Sequence, residues 1–313
     1  MNTKKLSQIL FVLFIFISFN CKKDKDEDNS VQNNNTTLTA KEKIIKEYKE
    51  VYLASNVSDA GWTGDKNNCI AGNISAEAQS KTLQRINYFR KLVGLPGDIV
   101  FDTAKNKKCQ QAALMFNANS AINHYPPNSW LCYTSDGAAA AGSSNIFSGR
   151  NCSNAVTGYI EDFGSSNIDC GHRRWILYPK MKIMGHGATN STDCLWVIGG
   201  SASSYPKDMP DFVCYPPQNY VPAPLVFSRW SFSIPGASFA STQITMTDSN
   251  NNPVALNIIS NTNTKYGENS IIWEPQGIVL NSSLDVTYNI KVSNVKIGSN
   301  NKEYSYKVII VKI

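Results

Sequence analysis

The apolar and polar positions divide this chain into stretches of different texture. Ile9 to Ile17 form an unbroken apolar run after Lys4 and Lys5, and Ser18-Phe19-Asn20-Cys21 ends it. Such a run falls well short of the ~20 residues a membrane-spanning helix needs. It reads as an export signal over residues 1–20. Lys22 to Ser30 is a charged run followed by an Asn- and Thr-rich stretch with no apolar period, so residues 21–38 read as a flexible tether. Thr39-Ala40-Lys41-Glu42 then makes a capping box, with Ile44, Ile45, Tyr48, Val51 and Tyr52 at helical spacing, which predicts a helix over 40–54.

Ser75 caps a second predicted helix, with Leu83, Ile86, Phe89 and Val93 as its stripe and Gly94 and Pro96 closing it. Asp102 caps a third, in which Cys109, Ala112, Ala113 and Phe116 recur, and a fourth spans about 154–163. Residues 121–150 read as loops, including the Ala138 to Ala141 run. Residues 182–189 and 195–198 read as strands. After Pro222 the pattern changes to short β-rich runs near 229–234, 243–247, 254–259, 270–273, 286–292 and 304–313, separated by turns such as Asp248 to Pro253; these suggest an antiparallel sandwich. The Pro-rich segment 216–224 is the natural boundary, giving a first domain over 39–215 and a second over 222–313.

Composition agrees with folded domains: 313 residues with 42% hydrophobic and 11% aromatic can build real cores. A net charge of +6 on a chain only 17% charged offers no concentrated field for a polyanion, so nucleic acid is not an expected partner. There is no Gly-rich phosphate loop and no Gly-x-Ser-x-Gly elbow, which argues against nucleotide chemistry and an ordinary serine hydrolase.

Eight cysteines demand explanation. Cys21 stands directly after the apolar run, and Ser18-Phe19-Asn20-Cys21-Lys22-Lys23-Asp24 resembles a bacterial lipoprotein signal with Cys21 acylated, for instance by palmitate. The alternative is a secretory signal with an incidental cysteine. Cys69, Cys109, Cys132, Cys152, Cys170, Cys194 and Cys214 show no C-x-x-C pair, and in an oxidising compartment they allow up to three disulfides and one free thiol. Cys132 with Cys152 or Cys170, and Cys69 with Cys109, are plausible pairs.

Only three histidines exist. His124 and His172 sit in loop-like sequence beside Pro or Gly, where a side chain can be aimed into a cleft. With Glu161 and Asp162 between them they supply the imidazoles and carboxylate that a divalent metal or a general base requires. Against this stands the plainer reading of both histidines as rim residues bonding each other's loops, of Asp162 as a solvated helix residue or a partner of Arg173 or Arg174, and of those arginines as anion grips of which one is structural.

The order Leu83-x-x-Ile86-Asn87-x-x-Arg90-x-x-x-Gly94-Leu95, then His124, Ser144-Asn145-Ile146, Tyr159, Gly171-His172-Arg173-Arg174-x-Ile176-Leu177 and Gly185-x-Gly187 resembles the CAP superfamily of cysteine-rich secretory, antigen 5 and pathogenesis-related proteins, in its bacterial lipoprotein branch, across about 75–200. The resemblance implies an α+β fold: a three-layer α-β-α sandwich, followed here by the small antiparallel β-sandwich. It implies a cleft with two histidines, matched by His124 and His172, and two acidic positions. The first of those is Ser144 here, in Ser143-Ser144-Asn145-Ile146, and the second falls near Asp162, with Glu161 as neighbour. His186 replaces an apolar strand residue and has no implied role.

The expected function is therefore a lipid-anchored envelope protein whose cleft binds a hydrophobic small molecule, sterol, lipid or protein without turnover. No cofactor is required by that reading, although zinc on His124 and His172 remains open. The loss of an acidic position at Ser144 weighs against an enzyme. The alternatives are a metal-assisted peptidase or hydrolase using His124, His172 and Asp162, and adhesion through the C-terminal β region.

Overall fold

The computed structural model describes residues 37–313. The export signal, Cys21 and the tether up to residue 36 lie outside the described residues. Residues 38–313 form one compact unit.

Helix α1 spans Ala40–Glu47, and its capping box is present: the Thr39 side chain accepts from the Glu42 N–H while Glu42 accepts from the Thr39 N–H. It continues through a π turn at Tyr48–Tyr52 and a 3₁₀ turn at Leu53–Ser55. Helix α2, Ala76–Leu92, is capped by Ser75 Oγ and buries Ala78, Thr82, Arg85, Ile86 and Phe89. Strand β1 is Val100–Phe101, and α3, Thr103–Asn119, starts at an Asp102 cap as its sequence predicts. Helix α4, Ser135–Gly142, occupies the alanine run that reads as loop. It is short and offers almost no polar face, so periodicity does not reveal it. Next come β2 (Ser144–Ser148), α5 (Cys152–Glu161), α6 (Gly171–Ile176), β3 (Ile183–Ala188) and β4 (Thr192–Trp196).

These strands form a sheet in the order β1-β3-β4-β2. Alternation along β4 divides the layers: Cys194 joins Ala112, Phe116 and Ala140 of α3 and α4 on one face, while Leu195 joins Phe89 of α2 and Ile160 of α5 on the other. This is the α-β-α sandwich. Helix α3 lies directly on β3, because a Cβ on Gly187 would fall 2.2 Å from the Gln110 backbone nitrogen. Only glycine permits that approach.

The remaining chain is β-rich: β5 (Val213–Tyr215), β6 (Asn219–Pro222), β7 (Trp230–Ser233), β8 (Ala237–Ser238), β9 (Gln243–Asp248), β10 (Leu256–Ser260), β11 (Ser270–Pro275), β12 (Val286–Ile297) and β13 (Asn300–Val311). One sheet runs β10-β11-β7-β5, and the second runs β6-β13-β12-β8 with β9 also paired to β12. All pairings here are antiparallel except β6 with β13. The Pro-rich segment 216–224 therefore carries a strand of the second sheet. A single apolar cluster runs from Phe89, Tyr159 and Ile176 through Tyr215 to Trp230, Trp273 and Val308. Among the described residues no helix is long and apolar enough to cross a membrane.

Candidate functional site: a cleft behind two histidines

The cysteines correct the expected pairing. Cys69 is bonded to Cys132, across 63 residues, instead of either partner proposed from sequence. Cys109, Cys152, Cys170, Cys194 and Cys214 are buried free thiols, so the described residues hold one disulfide where up to three were expected. Neither Cys152 nor Cys170 reaches the loop of Cys132, since each is enclosed at one end of α5 or α6. Burial pushes their thiol pKa up, to about 12 for Cys152 and about 11 for Cys170.

The histidines are better served by the folding. A cleft of about 740 Å³ opens at the edge of the first sheet and is lined by both His124 and His172, with Ser144 and Asn145 of β2. That volume is ordinary for a small-molecule site. His124 donates from Nδ1 to the Ala141 carbonyl at 2.9 Å, anchoring its loop to the end of α4. His172, in the first turn of α6 and not in the expected loop, donates from Nδ1 to Asp162 Oδ1 at 2.8 Å. In each ring the Nδ1 proton is committed, which leaves Nε2 as the lone-pair nitrogen of the neutral form.

Asp162 is not a solvated residue. Its side chain is fully enclosed, and its second oxygen accepts from the Arg173 N–H at 3.1 Å. It ends α5 with φ +54°, a left-handed conformation that aspartate tolerates better than most residues. This bend points the carboxylate back at α6. Glu161, its neighbour, turns away from the cleft and pairs with Arg150 at 3.1 Å.

Arg173 and Arg174 are committed to the protein's own groups. Arg173 donates to the Ile160, Glu161 and Arg229 carbonyls and to Ser231 Oγ, and Arg174 donates to the Asn263 and Glu268 carbonyls. Arg229, the residue directly before β7, donates to the carbonyls of Asp162, Gly164 and Asn167. Arg229 thus satisfies the carbonyls of the irregular 162–170 loop, while Arg173 holds the end of α5 and Arg174 the connection between β10 and β11.

Ser144 is buried, with Oγ 3.9 Å from Cys109 Sγ. Asn145 donates from Nδ2 to the His172 carbonyl, and its own carbonyl accepts from Tyr159 OH. Tyr159 also donates to Asp193, which accepts from His186 Nε2 at 2.9 Å and from the Cys152 N–H. His186 is therefore a buried partner of Asp193 behind the sheet and does not line the cleft. Asp193, buried and bonded to three members of this network, has no signal in the sequence beyond its polarity in a strand.

The cleft wall also holds Phe147, Phe163, Asn167, Asp169, Trp175 and Tyr266, which sequence reasoning missed. Those between 147 and 175 lie beside the Gly-His motif. Tyr266 comes from the β10–β11 connection, and nothing local to it signals a site. Among the described residues no group of three or more His, Cys, Asp or Glu is placed to hold a metal. Asp162 spends its oxygens on His172 and the Arg173 N–H, behind the His172 ring.

No curated protein matches the chain. Residues 83–198 match the model of CAP, the cysteine-rich secretory protein family, and this stretch contains α2 from Leu83, the first sheet, His124, Asp162 and His172. The sandwich, the two cleft imidazoles and that match agree, and residues 83–198 of this chain carry a CAP domain.

Proposed function

We propose that this is an exported protein, lipid-anchored through Cys21 to the cell envelope, whose CAP cleft binds a ligand without turning it over. The CAP family is extracellular in character, which agrees with the export signal and with the Cys69–Cys132 disulfide. The observation that carries the binding reading is the 740 Å³ cleft in which both imidazoles are fixed by Nδ1 hydrogen bonds while the first acidic position is a buried serine. Fixed Nε2 edges suit ligand recognition, and without a second acid a paired acid–base reaction has no partner for His172. The test is equilibrium binding of the full chain to fatty acids, sterols, envelope glycans and envelope proteins. Binding that falls in His124→Ala and His172→Ala supports the reading, whereas no binding, or binding indifferent to both variants, sinks it. Anchoring is checked separately by labelled palmitate, whose incorporation Cys21→Ser abolishes.

One observation favours a second reading, hydrolysis. A buried carboxylate bonded to imidazole Nδ1 is the orienting arrangement of a general base. Activity on peptide or ester substrates that disappears in His172→Ala and falls in Asp162→Asn would establish it. Surface adhesion by the C-terminal β region draws no comparable support.

A further inference from the structure

The cleft is closed on one side by residues that lie outside the CAP match. The connection between β10 and β11 lays Tyr266 against Gly171, where a Cβ on that glycine would meet the tyrosine ring at 3.0 Å. Two anchors hold the connection there. Asp169, on the cleft wall, accepts from Ser260 Oγ and Asn263 Nδ2, both at 2.5 Å. Arg174 donates to the Asn263 and Glu268 carbonyls and lies over the Tyr266 ring, 5.5 Å from its centre. Tyr266 is half-buried and Phe163, also on the wall, is 47% exposed.

The lining decides what chemistry fits. Among the described residues no lysine or arginine lines the cleft, and Arg150, which lies over the Phe147 and Phe163 rings, is paired with Glu161, so an anion finds little countercharge. Asp169 is the one carboxylate on the wall, and both its oxygens are occupied, so a cation finds little. The lining sets the polar Ser144, Asn145, His124 and His172 among the apolar Ile122, Ile146, Phe147 and Trp175, which suits a ligand carrying both hydroxyls and apolar faces better than a plain acyl chain. What remains is a neutral ligand that offers hydroxyl groups to the floor and apolar ring faces to aromatic walls.

Resting on the ligand-binding reading above, we propose that the cleft takes a neutral saccharide chain, with Tyr266 and Phe163 as stacking walls and the two Nε2 atoms accepting from sugar hydroxyls. The C-terminal β region is then part of the recognition site, because it supplies Tyr266.

The experiment is calorimetric titration of the full chain with cellohexaose, mannohexaose and chitohexaose, and in parallel with palmitate and cholesterol. The expected result is binding of at least one hexaose, weakened about tenfold by Tyr266→Ala and by Phe163→Ala and changed by less than about twofold in Tyr266→Phe, which keeps the ring. Phe163→Ala decides the matter if Tyr266→Ala does not fold, since that ring is half in solvent. Hexaose binding unchanged by these alanine variants overturns the role of the walls. Binding of palmitate or cholesterol alone overturns the saccharide assignment while leaving the ligand-binding reading intact. Binding of no probe, lipid or sugar, removes both.

Discussion

At the scale of single residues, the cleft depends on side chains whose work is to hold other side chains. Asp162 fixes His172 through a 2.8 Å bond and is enclosed so completely that no water can replace it. Asp162→Ala leaves both the His172 Nδ1–H and the Arg173 N–H without their acceptor. A loss of about 2 kcal/mol is expected, from unmet buried donors, and is measured by denaturant unfolding. Asp162→Asn keeps one acceptor oxygen and costs less. Arg229 provides the same service for backbone: Arg229→Met frees the carbonyls of Asp162, Gly164 and Asn167, and faster amide exchange confined to residues 162–172 is the expected readout. The buried thiols make a third case. Burial raises Cys152 and Cys214 to about 12, so both stay protonated and unreactive at neutral pH. The sign follows from linkage: groups raised above their unfolded values add stability that is complete below about pH 8.5 and is lost as pH climbs toward 12. Melting temperature measured across that window should hold to about pH 8.5 and then fall, with thiol labelling appearing only on unfolding. A native chain that labels quickly at neutral pH contradicts this.

Among elements, the informative ones are those without a sequence period. Helix α2 and helix α3 were legible because each has a polar cap, Ser75 or Asp102, and a run long enough to show its buried face. Helix α4 was not, because residues 138–141 are all alanine, and α6 was not, because six residues give less than two turns of pattern. The strands β5 and β6 were hidden by Pro216, Pro217 and Pro222, residues that ordinarily argue against strand, yet β6 sits at a sheet edge beside β13, where proline is tolerated. The loop between α1 and α2 is held by the Cys69–Cys132 bridge. In a chain-entropy account a 63-residue separation makes its removal cost about 4 kcal/mol, so Cys132→Ser should lower the unfolding midpoint in guanidinium without changing cleft ligation at low temperature. A midpoint that does not move contradicts that account.

For the whole molecule, the connection of the two textures matters most. The change of pattern at Pro222 reads as a domain boundary, and the apolar cluster crosses it: Trp230 and Trp273 belong to the same cluster as Phe89, Tyr159 and Ile176. Arg173 and Arg229 bind carbonyls on the opposite sides of that boundary. A chain ending at residue 221 leaves this cluster open and the 162–170 carbonyls unmet. It should show weak near-UV dichroism and bind hydrophobic dye, whereas a cooperative melt of that fragment would show the CAP region to be self-sufficient.

By itself the sequence determined what local pattern and residue chemistry can carry: capped helices, the β-rich C-terminal region, and the CAP-like motifs around His124 and His172. These follow from short-range rules, since a cap needs three residues and a motif about ten. Tertiary structure alone decided which cysteine meets Cys132, that Asp162 is the buried partner of His172, that His186 belongs to Asp193 behind the sheet, and that Tyr266 reaches the cleft. Each of these joins positions that local pattern cannot relate: what selects between equally suitable thiols, carboxylates or rings is packing and the satisfaction of buried polar groups across the folded chain.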